Sequence, residues 1–414
     1  MTREFHVVGA GFTGMLAAYL LVQRGHAVTV TDAGPRPGGM IRTEAVPGGD
    51  AESAANGFLA SALLEEVAGR IGVTLVQAAP RARKQRWLWV DGPSRWPLSL
   101  RQTLGMALRA GGAWASRRMA PRPLETLEAW GVRVLGQPAT HRMLGSAVLG
   151  IYAAPPAHLS ATLVVGRFFR RASAGHARAA PRLRGTVAPA AGMGDWFRAL
   201  HDFLKRRGVR FVAARQEPLA HEPGVTTLVC TSAPEAARLL ARAAPSLAAQ
   251  LASIRMLQVV TTSLLVDEGP KRSADLPGFG CLFHPQAGFH HLGVLFASEI
   301  FPQRFAPGVR AETWIGGGLL HPGLPSLPDE ALRARIDADR VRLPGGQPAA
   351  PHLRALRTTR WAPAFPLYSV DLERTLAGLE APPRGVHLLG NYLGSLGLSQ
   401  IARRVEEKVT EVAA

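Results

Sequence analysis

A strand, a glycine-rich turn, a helix and a second strand that ends in an acid open this chain. An apolar run at 5–8 leads into Gly9-Ala10-Gly11-Phe12-Thr13-Gly14, an Ala- and Leu-rich stretch follows, and a second apolar run ends at Asp32. The first glycine of such a turn allows the tight bend, the second leaves room for a pyrophosphate, and the third lets the helix pack closely on the sheet. The order of these features predicts a βαβ unit that binds a dinucleotide.

The acid narrows the choice of dinucleotide. The helix N-terminus offers free N–H groups and the positive end of its dipole to phosphates. Asp32 follows the turn by about 20 residues, where a carboxylate accepts hydrogen bonds from ribose hydroxyls. Because the same acid would repel a 2′-phosphate, we predict NAD or FAD rather than NADP.

A signal peptide or a membrane span is the alternative interpretation of this segment. Residues 5–23 are apolar and carry no formal charge apart from His6, and their length alone would suffice. Only Arg3 precedes them, offset by Glu4, and a second strand with its acid follows in place of a small-residue cleavage site. The dinucleotide-binding unit is therefore the favoured interpretation.

The positive charge of the chain is carried almost entirely by arginine. The 414 residues, enough for two or three domains, have a formal net charge of +18, and lysine occurs only at 84, 205, 271 and 408. A GC-rich coding bias explains the excess of arginine; attraction to an acidic lipid surface or a polycarboxylate substrate is the alternative. No nucleic-acid-binding module is recognisable, so we expect no nucleic-acid partner.

Metal and disulfide chemistry find little support in the sequence. Cys230 and Cys281 are the only cysteines, and they cannot form a CxxC pair or a disulfide framework. His284, His290 and His291 are the closest histidines, without an acid at ligand spacing. We therefore predict no metal site and a reducing, cytoplasmic setting.

Further strand and helix patterns lie far from the first unit. Two strand–helix units, around 209–243 and from 386 to the end, look like parts of the same nucleotide-binding sheet. A sheet assembled from separated segments, with other domains inserted between them, is the organisation of large flavoproteins. The remaining patterns predict helices at 60–72, 97–123, 124–150 and 195–208, strands at 86–90 and 259–267, a loop at 172–184 and a β-like region at 270–330.

Several segments resemble, in order, one family of flavoproteins. The chain is similar to the protoporphyrinogen oxidase family, which includes bacterial coproporphyrinogen-oxidising members, within the FAD-dependent amine oxidase superfamily. One departure is Asn391, which stands where many superfamily members carry an acid. The matching segments are 7–14, Gly38-Gly39 with Arg42-Thr43, 52–58, 86–98, 150–160, 192–194, 229–237, 361–368 and 389–398.

The resemblance implies the cofactor FAD and an α/β fold with three parts. These are a Rossmann-like FAD-binding domain from the discontinuous segments 1–80, 185–245 and 384–414, an α+β substrate domain at 81–97 and 246–383, and a helical insert at 98–184. The residues that this resemblance and the glycine turn assign to the cofactor are Gly9, Gly11, Phe12, Thr13, Gly14, Asp32, Arg36, Gly38, Gly39, Arg42, Thr43, Asn56, Gly57, Phe58, Thr231, Gly390, Asn391, Gly397 and Leu398.

The implied activity is oxidation of a porphyrinogen, an anionic small molecule, by hydride transfer to flavin. The alternatives are an amine oxidase or carotenoid-desaturase-like enzyme with another substrate, and a flavin-binding protein without turnover. Arginines would anchor the substrate carboxylates; the candidates are Arg95, Arg133, Arg167 and Arg170. Two questions stay open: whether the basic, amphipathic stretch 98–123 rests on a membrane or on its own domain, and whether the chain is a monomer or a homodimer.

Overall fold

The computed structural model describes residues 2–169, 180–219, 224–267 and 276–414. The strands are β1 Glu4–Val8, β2 Ala27–Asp32, β3 Thr43–Val46, β4 Gly49–Glu52, β5 Phe58–Leu59, β6 Leu75–Gln77, β7 Arg86–Trp89, β8 Pro93–Ser94, β9 Thr186–Pro189, β10 Arg210–Ala213, β11 Val225–Val229, β12 Val259–Asp267, β13 Gly280–Phe283, β14 Gly293–Leu295, β15 Val309–Gly317, β16 Leu353–Trp361 and β17 Val386–Leu388.

The α-helices begin and end close to the changes in sequence pattern. They are α1 Phe12–Gln23, α2 Ala62–Ile71, α3 Pro80–Lys84, α4 Leu100–Ala115, α5 Leu127–Val134, α6 Gln137–Ala139, α7 Gly145–Tyr152, α8 Ala161–Val164, α9 Met193–Arg206, α10 Ala233–Leu240, α11 Pro245–Ala252, α12 Ala297–Ile300, α13 Asp329–Arg340, α14 Val370–Ala377 and α15 Leu398–Ala413.

A parallel sheet in the order β10-β2-β1-β11-β17 forms the first layer. Its strands read as apolar runs because both faces are covered. Phe5 and Val7 join the core with α1, α9 and α15, whereas Val8 and Val229 join the core with α10. The strands come from the two ends and the middle of the chain. The predicted α/β fold with a Rossmann-like sheet of discontinuous segments is therefore confirmed.

A mixed sheet in the order β16-β12-β15-β14-β13-β7-β8 forms the second layer. Strand β12 lies between two antiparallel neighbours, and all but its last residue are buried. The predicted strand at 86–90 is β7, which forms a hairpin with β8 and joins this sheet by pairing with β13. The domain boundaries given above stay a prediction.

Helices α4 to α8 lie within residues 100–164 of the chain, between strands β8 and β9. Ser99 and Gln102 form a capping box at the start of α4, and Thr126 caps α5. Continuous helix through 124–150 is wrong, because Gly136 has φ +86° and interrupts it. In the part of the chain that the structure describes, no helix has the length and apolar character to cross a membrane.

The stretch 330–360, which lies outside the segments that resemble the family, contains most of helix α13 and of the edge strand β16. Strand β16 pairs with β12 on one side only, and none of its residues is fully buried. An edge strand carrying five polar or charged side chains gives little alternation, so its pattern is weak. The predicted loop at 172–184 lies mostly outside the described residues.

Candidate functional site

The first glycine turn presses α1 directly onto β1. Gly9 has φ +106° and its N–H donates to the carbonyl of Thr31 at 2.7 Å. A Cβ at Gly9 would lie 2.7 Å from the Cys230 carbonyl oxygen, and one at Gly14 would overlap the carbonyl oxygen of Gly9. The protein's own backbone therefore requires both glycines before any ligand is considered.

Gly11 is different, because space lies open beside it. A Cβ there would meet no atom within 4 Å, so packing does not require glycine at this position. Gly11 precedes α1, whose start is capped by no side chain in the described part of the chain and whose first turn holds no acid. The first N–H groups, at Phe12, Thr13 and Gly14, are thus left for an anion.

Asp32 ties the end of β2 to the glycine turn. One carboxylate oxygen accepts from the Ala10 N–H at 2.6 Å and the other from the Gly34 N–H at 2.7 Å. An ionised carboxylate has about four acceptor sites, so capacity remains for ribose hydroxyls. The position, half-buried beside the open N-terminus of α1, agrees with the predicted ribose contact.

The glycine doublet lies against the first turn. Gly38 has φ +110° and donates its N–H to the Ala10 carbonyl at 2.8 Å. A Cβ at Gly39, which has φ +56°, would lie 3.2 Å from the Cα of Gly11. The two glycine segments therefore form one cradle, although almost thirty residues separate them in sequence.

Arg36 and Arg42 bring two positive charges to this cradle. Burial and then the charge of Arg36 lower the pKa of the Arg42 guanidinium, and Glu44 opposes them. The Arg42 guanidinium lies over the ring of Trp361, 5.3 Å from its centroid. The main-chain N–H of Arg42 donates to the Ser53 hydroxyl at 2.9 Å. An anion bound nearby would offset the repulsion between the two guanidinium groups.

Thr43 takes part in a buried network that links the first segment to α9. Its hydroxyl donates to Glu52 at 2.8 Å and accepts from the Gly194 N–H at 2.7 Å. Glu52 also accepts from the Met193 N–H and pairs with Arg304. Burial raises the pKa of Glu52, and the charge of Arg304 opposes that rise. The structure thus gives Thr43 a positioning role that the sequence did not reveal.

The segment after Glu52 crosses to the second sheet. The Ser53 carbonyl accepts from the hydroxyl of Thr261 at 2.7 Å and from the indole N–H of Trp361 at 3.0 Å. The amide oxygen of Asn56 accepts from Thr313 at 3.3 Å. These bonds place the segment at the junction of the two sheets.

Gly57 and Phe58 complete this segment and face the protein interior. A Cβ at Gly57 would lie 2.7 Å from the Val187 carbonyl oxygen. The buried ring of Phe58 packs edge-on against Trp196, with centroids 5.8 Å apart. Phe58 is therefore a core residue in this structure.

The C-terminal unit comes back to the same end of the parallel sheet. A Cβ at Gly390 would lie 3.1 Å from the carbonyl oxygen of Thr231, and the Thr231 methyl lies 3.4 Å from where a Gly9 Cβ would be. Gly397 precedes α15, which begins at Leu398 and has no side-chain cap among the described residues. Gly390 therefore lies close to the first glycine turn, and the second uncapped helix N-terminus follows seven residues later, where the Ser399 hydroxyl donates to the Leu59 carbonyl.

The two segments that resemble the family most specifically contact each other. The Ser160 N–H donates to the Tyr368 carbonyl at 2.7 Å, and the rings of Tyr152 and Tyr368 meet edge-on at 5.3 Å. The Tyr368 hydroxyl donates to the Asn391 carbonyl at 2.6 Å. Residues 150–160 and 361–368 therefore support the C-terminal end of the predicted cofactor site.

The predicted residues fit a dinucleotide such as FAD. An open helix N-terminus stands at Gly11, an acid with spare acceptor capacity at Asp32 and a pair of arginines beside the doublet. FAD is longer than one phosphate site, and the second uncapped helix, at Gly397, offers a further contact. The residue assignments stay predictions, since they rest on this fit alone.

Comparison with known proteins identifies relatives along the whole chain. Residues 7–69 match the family model for an NAD(P)-binding Rossmann-like domain. Chloroplast protoporphyrinogen oxidase 1 of Arabidopsis thaliana is 24% identical over an alignment that covers 100% of this chain and 88% of that protein. The protein of the same name from Spinacia oleracea is 29% identical over 143 residues. The chain is a homologue of the protoporphyrinogen oxidases.

The alignment with the spinach protein covers 33% of this chain and only 25% of that relative. A solved structure from Exiguobacterium sp. 255-15, provisionally named a protoporphyrinogen oxidase, superposes with a TM-score of 0.77 at 17% identity and covers 100% of this chain and 99% of its own. This likeness establishes a shared fold. The family resemblance and the FAD cofactor that the sequence predicts are confirmed at the level of homology and fold.

The arginines expected to anchor a substrate have different surroundings. Arg133 pairs with Glu125 at 2.7 Å, and that bond raises its pKa. Arg95 lies 6.0 Å from the ring of Trp87, and Arg167 lies over Phe168. Arg170 lies outside the described residues. The guanidinium of Arg133 is therefore already paired with the carboxylate of Glu125.

One cavity lies apart from the predicted cofactor residues. A cavity of about 1070 Å³ opens beside β17 and the outer face of α15, and none of its lining residues is a predicted cofactor residue. Among residues 2–169, 180–219, 224–267 and 276–414, no three His, Cys, Asp or Glu side chains are grouped to hold a metal.

Proposed function

We propose that the chain is an FAD-dependent oxidoreductase that converts a porphyrinogen to a porphyrin. The observation that carries the proposal is the contact among residues 150–160, residues 361–368 and Asn391. The two segments specific to the family thus lie against the C-terminal part of the predicted cofactor site. Homology to proteins named protoporphyrinogen oxidase supports the substrate class.

The predicted cofactor residues divide into two groups. The open N-terminus of α1 at Gly11 and the arginines Arg36 and Arg42 would hold the phosphates. Asp32 would accept from a ribose hydroxyl. The second group would hold the flavin end and consists of Asn56, Gly57, Thr231, Gly390, Asn391, Gly397 and Leu398.

When bound, FAD supplies two-electron oxidation chemistry. A porphyrinogen loses six hydrogens, as six electrons and six protons, on becoming a porphyrin, so three two-electron rounds are required. Each round delivers its electrons to an external acceptor, for which oxygen, reduced to hydrogen peroxide, is the simplest choice. The chain's own task is to bind, orient and exclude water; the junction between the sheets, where the buried Ser53 bonds to Thr261 and Trp361, would serve that task.

The experiment has two stages. The purified chain should show flavin absorbance, and release of the flavin by denaturation should identify it as FAD. Coproporphyrinogen and protoporphyrinogen are then supplied separately, and porphyrin fluorescence is followed. Porphyrinogens also oxidise spontaneously, so the rate is compared with that of Gly14→Ala, which we expect to lose FAD.

The alternatives predict other outcomes of the same experiment. A chain that binds FAD but accelerates neither oxidation contradicts the porphyrinogen proposal. Hydrogen peroxide released on addition of amines would then indicate an amine oxidase. No turnover with amines, carotenoid precursors or porphyrinogens would favour a flavin-binding protein without catalysis.

A further inference from the structure

Strand β17 lies at one edge of the parallel sheet. It pairs with β11 on one side, and in the order β10-β2-β1-β11-β17 no described strand lies on its other side. The Gly385 carbonyl accepts from the Thr227 N–H at 2.7 Å, and the Leu389 N–H donates to the Val229 carbonyl at 2.8 Å. The strand therefore has a second row of main-chain groups, on the side away from β11.

The main-chain groups of Val386 and Leu388 belong to this second row. Successive residues of a strand direct their main-chain groups to alternate sides, and the odd-numbered residues of 385–389 direct theirs to β11. The Val386 N–H donates to the Pro383 carbonyl at 3.0 Å. The Val386 carbonyl and both main-chain groups of Leu388 face the cavity of about 1070 Å³ that these residues line. Such an edge is a template for a further strand.

The two walls of this cavity differ in character. One wall is apolar, and its leucines join the core on one face of the parallel sheet. The other wall is the outer face of α15, whose buried residues join the core on the opposite face. Burial, and then the charge of Lys408, lower the pKa of the His387 imidazole, so that side chain lies on the α15 side. The apolar wall consists of Leu163, Leu376, Leu379 and Leu393.

Positive charge predominates in the lining of the cavity. Five basic and three acidic side chains line it. Glu407 pairs with Arg403 at 2.9 Å, and Glu411 pairs with Lys408 at 2.6 Å. The lining therefore attracts carboxylates. Its other charged side chains are Glu380, Arg167, Arg384 and Arg404.

We propose that the β17 groove, defined as β17 and the two walls of this cavity, binds an extended peptide in which acidic and apolar residues alternate. The peptide pairs its main chain with Val386 and Leu388 and adds a sixth strand to the five-stranded sheet. Because successive side chains of a strand point to opposite faces, the acidic set faces the α15 wall and the apolar set faces the leucines. The inference does not depend on the substrate proposed above.

Two other occupants fit the groove less well. A second copy would bring its own β17 to this one across a twofold axis, but both strands lie inside cavities, and paired strands must approach to about 4.8 Å. The same contact would set like charges against each other. A small anion would use the basic side chains and leave the strand edge unpaired.

Peptide binding to the full-length, FAD-loaded chain tests the proposal. The probe is a fluorescein-labelled peptide of about eight alternating glutamate and valine residues, within the usual length of a strand, and fluorescence anisotropy measures its affinity. The control peptide has lysine in place of glutamate. We expect the glutamate peptide to bind at least about tenfold more tightly, because like charges in the groove oppose the lysines.

Main-chain methylation distinguishes strand addition from attraction of charge alone. A strand turns the N–H groups of alternate residues toward one neighbour. Methylation of every glutamate N–H and methylation of every valine N–H therefore block opposite edges of the same peptide and leave its charge unchanged. We expect one of these two peptides to lose at least about tenfold in affinity, because its hydrogen bonds to β17 are lost, and the other to bind like the unmethylated peptide.

A charge-reversal pair with a matched control locates the site on the chain. Arg167→Glu/Arg384→Glu changes two exposed arginines of the lining and should weaken binding of the glutamate peptide at least about tenfold. Arg81→Glu/Arg83→Glu makes the same change of charge at two exposed arginines of α3, outside the lining, and should weaken it less. Hydrogen exchange within 386–389 should slow when the peptide binds, and this measurement requires no variant.

Three results would overturn the proposal. The first is a glutamate peptide that binds no more tightly than the lysine peptide, or that binds equally to the Arg167→Glu/Arg384→Glu variant and its control. The second is loss of affinity in both methylated peptides or in neither, because main-chain pairing along one edge predicts loss in one alone. The third is a concentration-dependent dimer in sedimentation that the glutamate peptide dissociates, because a second copy would then occupy the β17 groove.

Discussion

The phenol of Tyr368 donates a 2.6 Å hydrogen bond to the main-chain carbonyl of Asn391. Tyr368 is fully buried, and burial raises the pKa of its hydroxyl. The bond joins a segment that precedes α14 to the turn that follows β17. A neutral donor in the core thus fixes the main chain at one end of the predicted cofactor site.

We expect Tyr368→Phe to destabilise the fold by about 1–2 kcal/mol, because it leaves the Asn391 carbonyl without its donor. Tyr392→Phe is the matched control, since the buried hydroxyl of Tyr392 has no hydrogen-bond partner among the described residues. That variant should be neutral or slightly stabilising. Chemical denaturation of both variants measures the difference, and equal effects would contradict this role of Tyr368.

Gly14→Ala should destabilise the chain by about 1–3 kcal/mol, as overpacking typically does. The new Cβ would overlap the Gly9 carbonyl oxygen and push α1 away from β1. FAD binding should fall with it. Denaturation of the apoprotein and flavin content after purification are the two measurements.

Gly11→Ala should separate binding from packing. The residue has φ −71° and an open space beside it, so alanine fits the apoprotein without strain. FAD affinity should fall by about tenfold or more, equivalent to about 1.4 kcal/mol. Gly69→Ala, an open position within α2, should leave FAD affinity unchanged. If the Gly11→Ala protein binds FAD with normal affinity, the pyrophosphate does not bind beside Gly11.

Arg42→Met should weaken FAD binding without destabilising the apoprotein. Removal of the guanidinium relieves its repulsion with Arg36, but it also removes a partner for the phosphates. Arg374→Met, which loses only an exposed pair with Asp371, serves as the control. Apoprotein stability is measured by thermal melting and FAD affinity by titration. A fall in apoprotein stability with unchanged affinity would show a purely structural role.

Glu312 is a buried acid held ionised by two arginines. Burial alone would raise its pKa, but Arg340 and Arg310 lower it to about 2. The carboxylate accepts from Arg310 at 2.7 Å, from Arg340 at 2.8 Å and from the indole N–H of Trp314 at 2.9 Å. It therefore joins β15 to α13 within the second sheet's core.

The stability that Glu312 contributes should depend on pH in one direction. Its folded pKa lies below the ordinary value of about 4.3, so the contribution is complete above about pH 5 and is lost as the pH falls through about 2. Glu312→Gln should lower the free energy of unfolding by about 3–5 kcal/mol at pH 7. This difference between the variant and the unchanged chain should narrow towards pH 2. Glu407→Gln, in an exposed pair with Arg403, should cost about 0–1 kcal/mol. A stability difference between Glu312→Gln and the unchanged chain that does not vary with pH would contradict an ionised Glu312.

The parts that follow from sequence are those with local causes. The spacing of Gly9, Gly11 and Gly14 dictates a turn into a helix, and the pairing of β2 with β1 brings Asp32, the last residue of β2, to that turn. Strand β12 is predicted with its observed bounds, 259–267, because its valines and threonines favour a strand. The edge strand β16 escaped prediction, because solvent on one side removes the apolar pattern.

The sequence by itself therefore determined a dinucleotide-binding βαβ unit and, through separated segments, a flavoprotein fold. Only the tertiary structure decided that the Thr43 hydroxyl donates to Glu52 and that Arg304, 252 positions away, pairs with the same acid. It also decided that Arg133 pairs with Glu125. Such pairings depend on how distant elements pack, and no spacing in the chain encodes them. The same packing leaves Leu100, Leu104 and Leu108 of α4 exposed, and periodicity alone could not distinguish such an outer face from one turned to the core.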